Sequence, residues 1–159
     1  MKISDNMVNV LETYIRDKNI LEVACGDSEF SISVSKYAKE VMATDISLDR
    51  LKKRNLNELP SNITFKEMNA RSLKIENESY DVTICYNALG HLEEVLDEVI
   101  NEMERVTKSK GNIIFIATWS MDKRIIYRVK EIFQTDKNDY ECAEIEKQKY
   151  KILILNKVF

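Results

Sequence analysis

The chain has 159 residues, 44% hydrophobic and 32% charged, and its 24 Lys and Arg against 27 Asp and Glu leave a formal net charge of −3. At this length a folded chain can bury about 68–70% of the surface its unfolded form exposes, so one sizeable core is expected and a second domain of independent function does not fit. Three glycines and one proline exclude collagenous, linker-like and low-complexity architectures, and an acidic balance with both signs interspersed gives no strong signal for nucleic acid.

Met7, Val10, Leu11, Tyr14 and Ile15 fall at three-and-four spacing behind Ser4 and Asp5, which are good N-cap types, so an amphipathic helix from Ser4 to Arg16 opens the chain. Asn19 to Ala24 is a short apolar run suited to a buried strand, and Glu29 to Lys39 is expected as helix. Val41 to Asp45 is a second strand, Ser47 to Leu56 a charged helix whose Lys52, Lys53 and Arg54 form a solvated face, and Pro60 closes a loop before a third strand at Ile63 to Glu67. Tyr80 to Tyr86 is β-branched and aromatic, hence a fourth strand. Leu92, Val95, Leu96, Val99, Ile100, Met103 and Val106 then trace the clearest amphipathic helix in the chain. Gly111 to Thr118 is a fifth strand and Met121 to Phe133 a helix. Tyr140 to Lys147 and Tyr150 to Val158 are strand-like segments so close together that they must form a hairpin.

Strands alternating with helices, most of them near-continuous apolar runs, imply a parallel sheet with helices on both faces. The terminal hairpin breaks that rule and inserts an antiparallel strand; Ile152 to Leu155 is apolar enough to lie inside the sheet. The expected fold is α/β, a doubly wound, mostly parallel seven-stranded sheet with an antiparallel C-terminal hairpin strand. It forms a single Rossmann-like domain over residues 1–159, with residues 1–18 as an N-terminal helix able to cover the site and residues 19–159 as the core. Such sheets bind ligands at the carboxyl ends of their strands, beside the first one. There the sequence runs Glu22-Val23-Ala24-Cys25-Gly26-Asp27-Ser28-Glu29 into a helix, a small-residue turn facing a helix amino terminus. A dinucleotide fingerprint would need glycines where Ala24 and Glu29 stand, and Asp27 would repel a pyrophosphate; a sulfonium cofactor, cationic and free of phosphate, tolerates these carboxylates.

These features resemble the class I, Rossmann-type S-adenosylmethionine-dependent methyltransferases of the small type 11-like kind, over roughly Asn19 to Val158. The family's E/D-x-G-x-G-x-G motif corresponds to Glu22, Ala24, Gly26 and Ser28, with the acidic residue and the middle glycine matching. The resemblance implies S-adenosyl-L-methionine as cofactor, Glu22 beneath its methionine end, and the backbone of Ala24, Cys25, Gly26 and Ser28 wrapped around it. It also implies Asp45 on the ribose hydroxyls with Ile46 beside it, and Asn69 and Ala70, where the family has Asp-Ala, near adenine. Tyr86-Asn87-Ala88-Leu89-Gly90-His91-Leu92 is similar to the segment lining the methyl-transfer site, which makes Tyr86 a cofactor contact.

Tyr14, Asn87, His91 and Trp119 are candidate substrate contacts, His91 also a candidate general base, and no metal-ligand spacing is present. Asp81 lies at the amino end of its strand and reads as structural. Cys25, Cys85 and Cys142, odd in number and far apart, read as free thiols of a reducing, cytoplasmic protein, and no apolar stretch approaches a membrane span. The expected activity is methyl transfer to an unidentified small-molecule acceptor by in-line displacement, which needs alignment more than an acid/base pair. The alternatives are a non-catalytic cofactor- or partner-binding module and an NAD(P)-dependent oxidoreductase.

Overall fold

The computed structural model describes residues 2–54 and 56–159. Its strands are β1 (Asn19–Val23), β2 (Glu40–Asp45), β3 (Ile63–Glu67), β4 (Tyr80–Tyr86), β5 (Thr107–Ala117), β6 (Tyr140–Glu146) and β7 (Lys151–Lys157), joined in one sheet of order β3-β2-β1-β4-β5-β7-β6. The first five run parallel, while β7 pairs antiparallel with both β5 and β6. The C-terminal hairpin therefore inserts its apolar Ile152–Leu155 segment inside the sheet and leaves β6, richer in glutamate, at the edge. The helices are α1 (Ile3–Val10), α2 (Glu12–Ile15), α3 (Glu29–Ser35), α4 (Leu89–Leu92), α5 (Leu96–Val106) and α6 (Ser120–Thr135).

Strand alternation sorts the core into two layers, because successive side chains point to opposite faces. Leu21, Val23, Cys85, Ile113, Phe115, Leu153 and Leu155 meet the apolar stripes of α5 and α6. Ile20, Val41, Ala43, Ile84, Ile114, Ile116, Ile152 and Ile154 meet Met7, Val8 and Leu11 of the N-terminal segment and Phe30 and Val34 of α3. Glu22 shares the parity of Ile20, so it is directed into the α3 layer, where Ser31 meets it.

Several helical expectations need correction. The opening helix stops at Leu11, whose N–H reaches both Met7 and Val8 carbonyls, and resumes as α2. Ser4 and Asp5 do not cap it: the N-cap is Lys2, and both side chains instead accept from the Ser33 hydroxyl, tying α1 to α3. With Met7, Val8 and Leu11 fully buried, this helix is core, and only Ile3 reaches the ligand cavity. The charged helix expected over Ser47 to Leu56 is two short 3-10 turns, Leu51–Lys53 and Leu56–Glu58, with residue 55 outside the described residues. The long amphipathic helix is interrupted by a 3-10 turn at Glu93–Val95, and α3 ends at Ser35, short of Lys39. Asp81 is structural as expected, accepting from the Asn19 N–H at 2.9 Å and pairing with Lys108 at 3.3 Å. Among the described residues no helix is long and apolar enough to cross a membrane.

Candidate functional site

At the carboxyl ends of the parallel strands lies a cavity of about 790 Å³, within the size range of small-molecule sites. Its floor is the turn after β1. Ala24, Gly26 and Ser28 all take left-handed backbone angles, with φ of 53°, 57° and 65°. Hydrogen bonds hold the turn to its neighbours: the Cys25 N–H donates to the Thr44 carbonyl at 2.9 Å, the Gly26 N–H to Asp45 Oδ2 at 2.8 Å, and the Ser28 N–H to the Cys25 carbonyl at 2.9 Å. Asp27 accepts from the Glu29 N–H at 3.1 Å, capping α3 in place of Ser28, whose hydroxyl reaches Cys25 Sγ at 3.3 Å. A Cβ on Gly26 would sit 2.8 Å from Arg50 Nη1, so the Arg50 guanidinium lies directly against the turn.

Arg54 anchors the same turn, its Nε donating to the Asp27 carbonyl and its Nη2 lying 3.5 Å from the Asp27 carboxylate. This corrects the solvated-face reading at Arg54, while Lys52 and Lys53 are exposed as expected. Glu29 pairs loosely with Lys2 at 3.8 Å, and Arg71 is held by Glu98 at 2.7 Å. Asp45 ends β2 and takes two backbone donors, from Gly26 and, at 3.3 Å, from Ser47. A carboxylate has about four acceptor positions, so Asp45 retains capacity for a ligand's hydroxyls. Beside it Ile46 is 73% exposed, an apolar side chain left uncovered at the cavity. Asn69 Oδ1 accepts from the Arg71 N–H at 3.0 Å, which leaves its amide hydrogens as donors.

Glu22 and Ser28 are buried beneath the cavity and do not line it. Glu22 is 1% exposed: Oε1 accepts from the Ser31 hydroxyl, and Oε2 has no partner among the described residues. Burial first, then the nearby Asp27 and Asp45 charges, push its carboxyl up to about 8, against hydrogen bonds from the Ser31 hydroxyl and backbone N–H that lower it. Burial likewise pushes the Cys25 thiol up to about 12, which removes it as a nucleophile. Tyr86 stacks on Phe30 at 4.6 Å, and burial together with the Glu29, Glu22 and Asp27 charges pushes its phenol up to about 12, so it stays a donor.

The remaining wall comes from the ends of β4 and β5. Asn87, at φ 52°, spends its amide on Thr118: Nδ2 donates to Oγ1 at 2.7 Å and Oδ1 accepts from the Thr118 N–H at 2.8 Å. His91 and Trp119, both exposed, stand on this wall. Thus Ala24, Cys25, Gly26, Asp45, Ile46, Asn69, Ala70, Tyr86, Asn87, His91 and Trp119 converge on one cavity. Tyr14 does not: it lines a separate hollow of about 380 Å³ with Asn112 and Asn156, because α2 packs over the opposite end of β5 and β7. Sequence reasoning missed Arg50, Val95 and Thr118, which line the cavity without belonging to a motif, and gave no role to Met68 and Leu92 at the ends of two motif segments. Position after a strand end was the available signal for Met68 and Thr118.

Residues 20–111 match the family model described as a methyltransferase domain. The ubiquinone biosynthesis O-methyltransferases of two Rickettsia bellii strains are 28% identical over 111 residues, covering 69% of this chain and 45% of theirs, so the match spans less than half the length of these relatives. Among solved structures, a protein of Pyrococcus horikoshii OT3 is 25% identical with a TM-score of 0.73, over 94% of this chain and 86% of that one. A SAM-dependent methyltransferase from Aquifex aeolicus is 16% identical with a TM-score of 0.77, over 98% and 89%, a likeness of fold alone.

Proposed function

The chain belongs to the class I, Rossmann-like methyltransferase family, and from that premise we propose that it transfers a methyl group from S-adenosylmethionine to a small-molecule acceptor. The observation that carries this reading is the cavity built on the Gly26 turn and Asp45 at the carboxyl ends of β1 and β2. Its residues fit the cofactor. The turn leaves no side chain at Gly26, and Asp45 has unused acceptor capacity for the ribose hydroxyls. Ile46 and Ala70 offer apolar surface for adenine, with the Asn69 amide as a polar contact, and the carboxylates around the turn suit a cation.

When bound, the cofactor supplies an electrophilic methyl group on a sulfonium. The chain's part is to hold that group in line with the acceptor and to keep water out. The Ala24–Ser28 backbone and Asp45 fix one end. Glu22 lies beneath the turn, at the methionine end of the proposed cofactor position. Tyr86, rigid on Phe30, offers a fixed hydroxyl donor from the floor. The acceptor occupies the His91 and Trp119 side, where an apolar body can rest on the indole and an exchangeable proton can meet the imidazole. Identity to an O-methyltransferase favours an oxygen acceptor. Three unpaired thiols are consistent with a reducing, cytoplasmic setting.

Calorimetry with S-adenosylmethionine, S-adenosylhomocysteine and NAD tests the reading. Binding of the first two and not of NAD is expected. Binding of NAD alone would overturn it in favour of an oxidoreductase, and binding of none would favour a partner-binding module. Transfer of a labelled methyl group to a panel of hydroxylated aromatic and aliphatic compounds then tests the acceptor class.

A further inference from the structure

We propose that Asp122 is a positioning residue for His91: its carboxylate grips the Gly90 N–H behind the cavity wall and sets a negative group beside the imidazole. The inference rests on the reading of this cavity as a methyl-transfer site. Asp122 lies in the first turn of α6, 2% exposed, and lines no part of the cavity itself. Its Oδ1 accepts from the Gly90 N–H at 2.8 Å, and its Oδ2 is buried with no partner among the described residues. The contact is close. A Cβ on Gly90 would come within 2.6 Å of Met121 Cε and 2.9 Å of Asp122 Oδ1, so a side chain there would have to displace the Met121 tip and the buried Asp122 carboxylate.

His91 is the next residue, and its imidazole stands on the cavity side. A second tie links the same two segments, the paired bonds between Asn87 and Thr118. Together they fix His91 on one side of the acceptor end and Trp119, the N-cap of α6, on the other. A neutral amide at position 122 would make the same bond to Gly90. What a carboxyl adds is a charge, and a buried carboxylate with one oxygen unpaired is expensive unless something uses its field. Burial raises the Asp122 carboxyl above its ordinary range, while the Gly90 bond and the neighbouring His91 act to lower it.

The chain has one histidine and one tryptophan, so both sides of the acceptor end carry a unique reporter. The test compares Asp122→Ala and Asp122→Asn by the His91 imidazole 1H–13C cross-peak, the Gly90 amide signal, Trp119 fluorescence and calorimetry with S-adenosylhomocysteine. Asp122→Ala should displace the His91 cross-peak, lose the hydrogen-bonded Gly90 amide shift and move the Trp119 emission. Cofactor-product affinity should stay within about threefold, since Asp122 is outside the cavity. Asp122→Asn should restore Gly90 and Trp119 but leave His91 displaced, because the bond returns without the charge. A wild-type His91 signal in either variant overturns the proposal; if Asp122→Ala does not fold, Asp122→Asn alone decides it. Failure of wild-type protein to bind S-adenosylhomocysteine would strike the methyl-transfer reading instead, and the His91 response would still report on the Asp122 contact.

Discussion

Replacing Glu22 by Gln tests the buried carboxyl under the cofactor turn. Its ordinary value is 4.5, and burial pushes it up to about 8 in the folded chain. Between those values the folded protein holds a proton that the unfolded chain has released. Stability from this group is therefore fully present below 4.5 and is lost as pH rises toward 8. At about 1.4 kcal/mol per pH unit across that window, the full loss is about 5 kcal/mol, comparable to the whole stability of a marginal domain. The Glu22→Gln variant keeps an acceptor for the Ser31 hydroxyl and replaces a neutral carboxyl with a neutral amide of nearly the same shape. Urea unfolding followed by circular dichroism, at steps from about pH 5 to pH 9, should find the two proteins within about 1 kcal/mol at the acid end. The variant should then gain on the native chain by several kcal/mol toward the alkaline end, most of it below about pH 8. All other titrations cancel in the difference. A difference that stays constant from pH 5 to pH 9 would show that Glu22 enters the fold ionised, and the account of its burial would be refuted.

Asp45→Ala removes the acceptor of the Gly26 N–H as well as the proposed ribose contact, and should weaken S-adenosylhomocysteine binding by about 1–3 kcal/mol in calorimetry. An unchanged dissociation constant would remove Asp45 from the site. Ala24→Gly should raise the melting temperature by about 1–4 °C, because relieving a left-handed alanine at φ 53° outweighs the added freedom of the unfolded chain; a fall would mean the methyl group contributes more than the backbone strain costs. Iodoacetamide at pH 8, read by peptide mass spectrometry, should modify Cys142 first and reach Cys25 and Cys85 only as the chain unfolds, since both are buried and burial raises both thiols. Rapid labelling of Cys25 in the folded chain would contradict its placement.

Strands were legible because a parallel strand covered on both faces must be apolar at nearly every position, a demand that Leu21, Ile84 and Ile114 meet locally. Even the insertion of β7 followed from four consecutive apolar residues that an edge strand would have exposed. Helices were less legible because their limits are set by distant partners. Leu92 to Val106 fits one apolar stripe, yet the chain breaks at Glu93, and Gly90 just before it is pressed against Met121 and Asp122, a contact some thirty residues away that no period encodes. Ser47 to Leu56 failed for a similar reason: Arg50 and Arg54, which look like solvated helix positions, are turned onto the Gly26 turn. The site was readable where it consists of strand ends, since topology brings those together whatever the side chains are. Tyr14 was misread because an aromatic residue advertises contact without direction.

The cofactor turn shows why a motif can lose glycines and keep its shape. The resembled pattern places glycine at positions 24, 26 and 28, and the backbone is left-handed at all three although only Gly26 remains glycine. A left-handed angle costs an ordinary residue about 1–2 kcal/mol, so the turn must be held by its surroundings. The Thr44 carbonyl, the Asp45 carboxylate and the Cys25 carbonyl each take an N–H from it, and Arg54 clamps Asp27. Given that frame, φ alone does not demand glycine: the Ala24 methyl packs into the apolar layer and the Ser28 hydroxyl reaches Cys25 Sγ. At Gly26 a Cβ would press on the flexible Arg50 guanidinium, with Nη1 at 2.8 Å, and would stand on the face where a ligand must approach. The one retained glycine is the position at which a left-handed angle coincides with the ligand-facing floor of the cavity, and it marks that floor more sharply than the full three-glycine motif would.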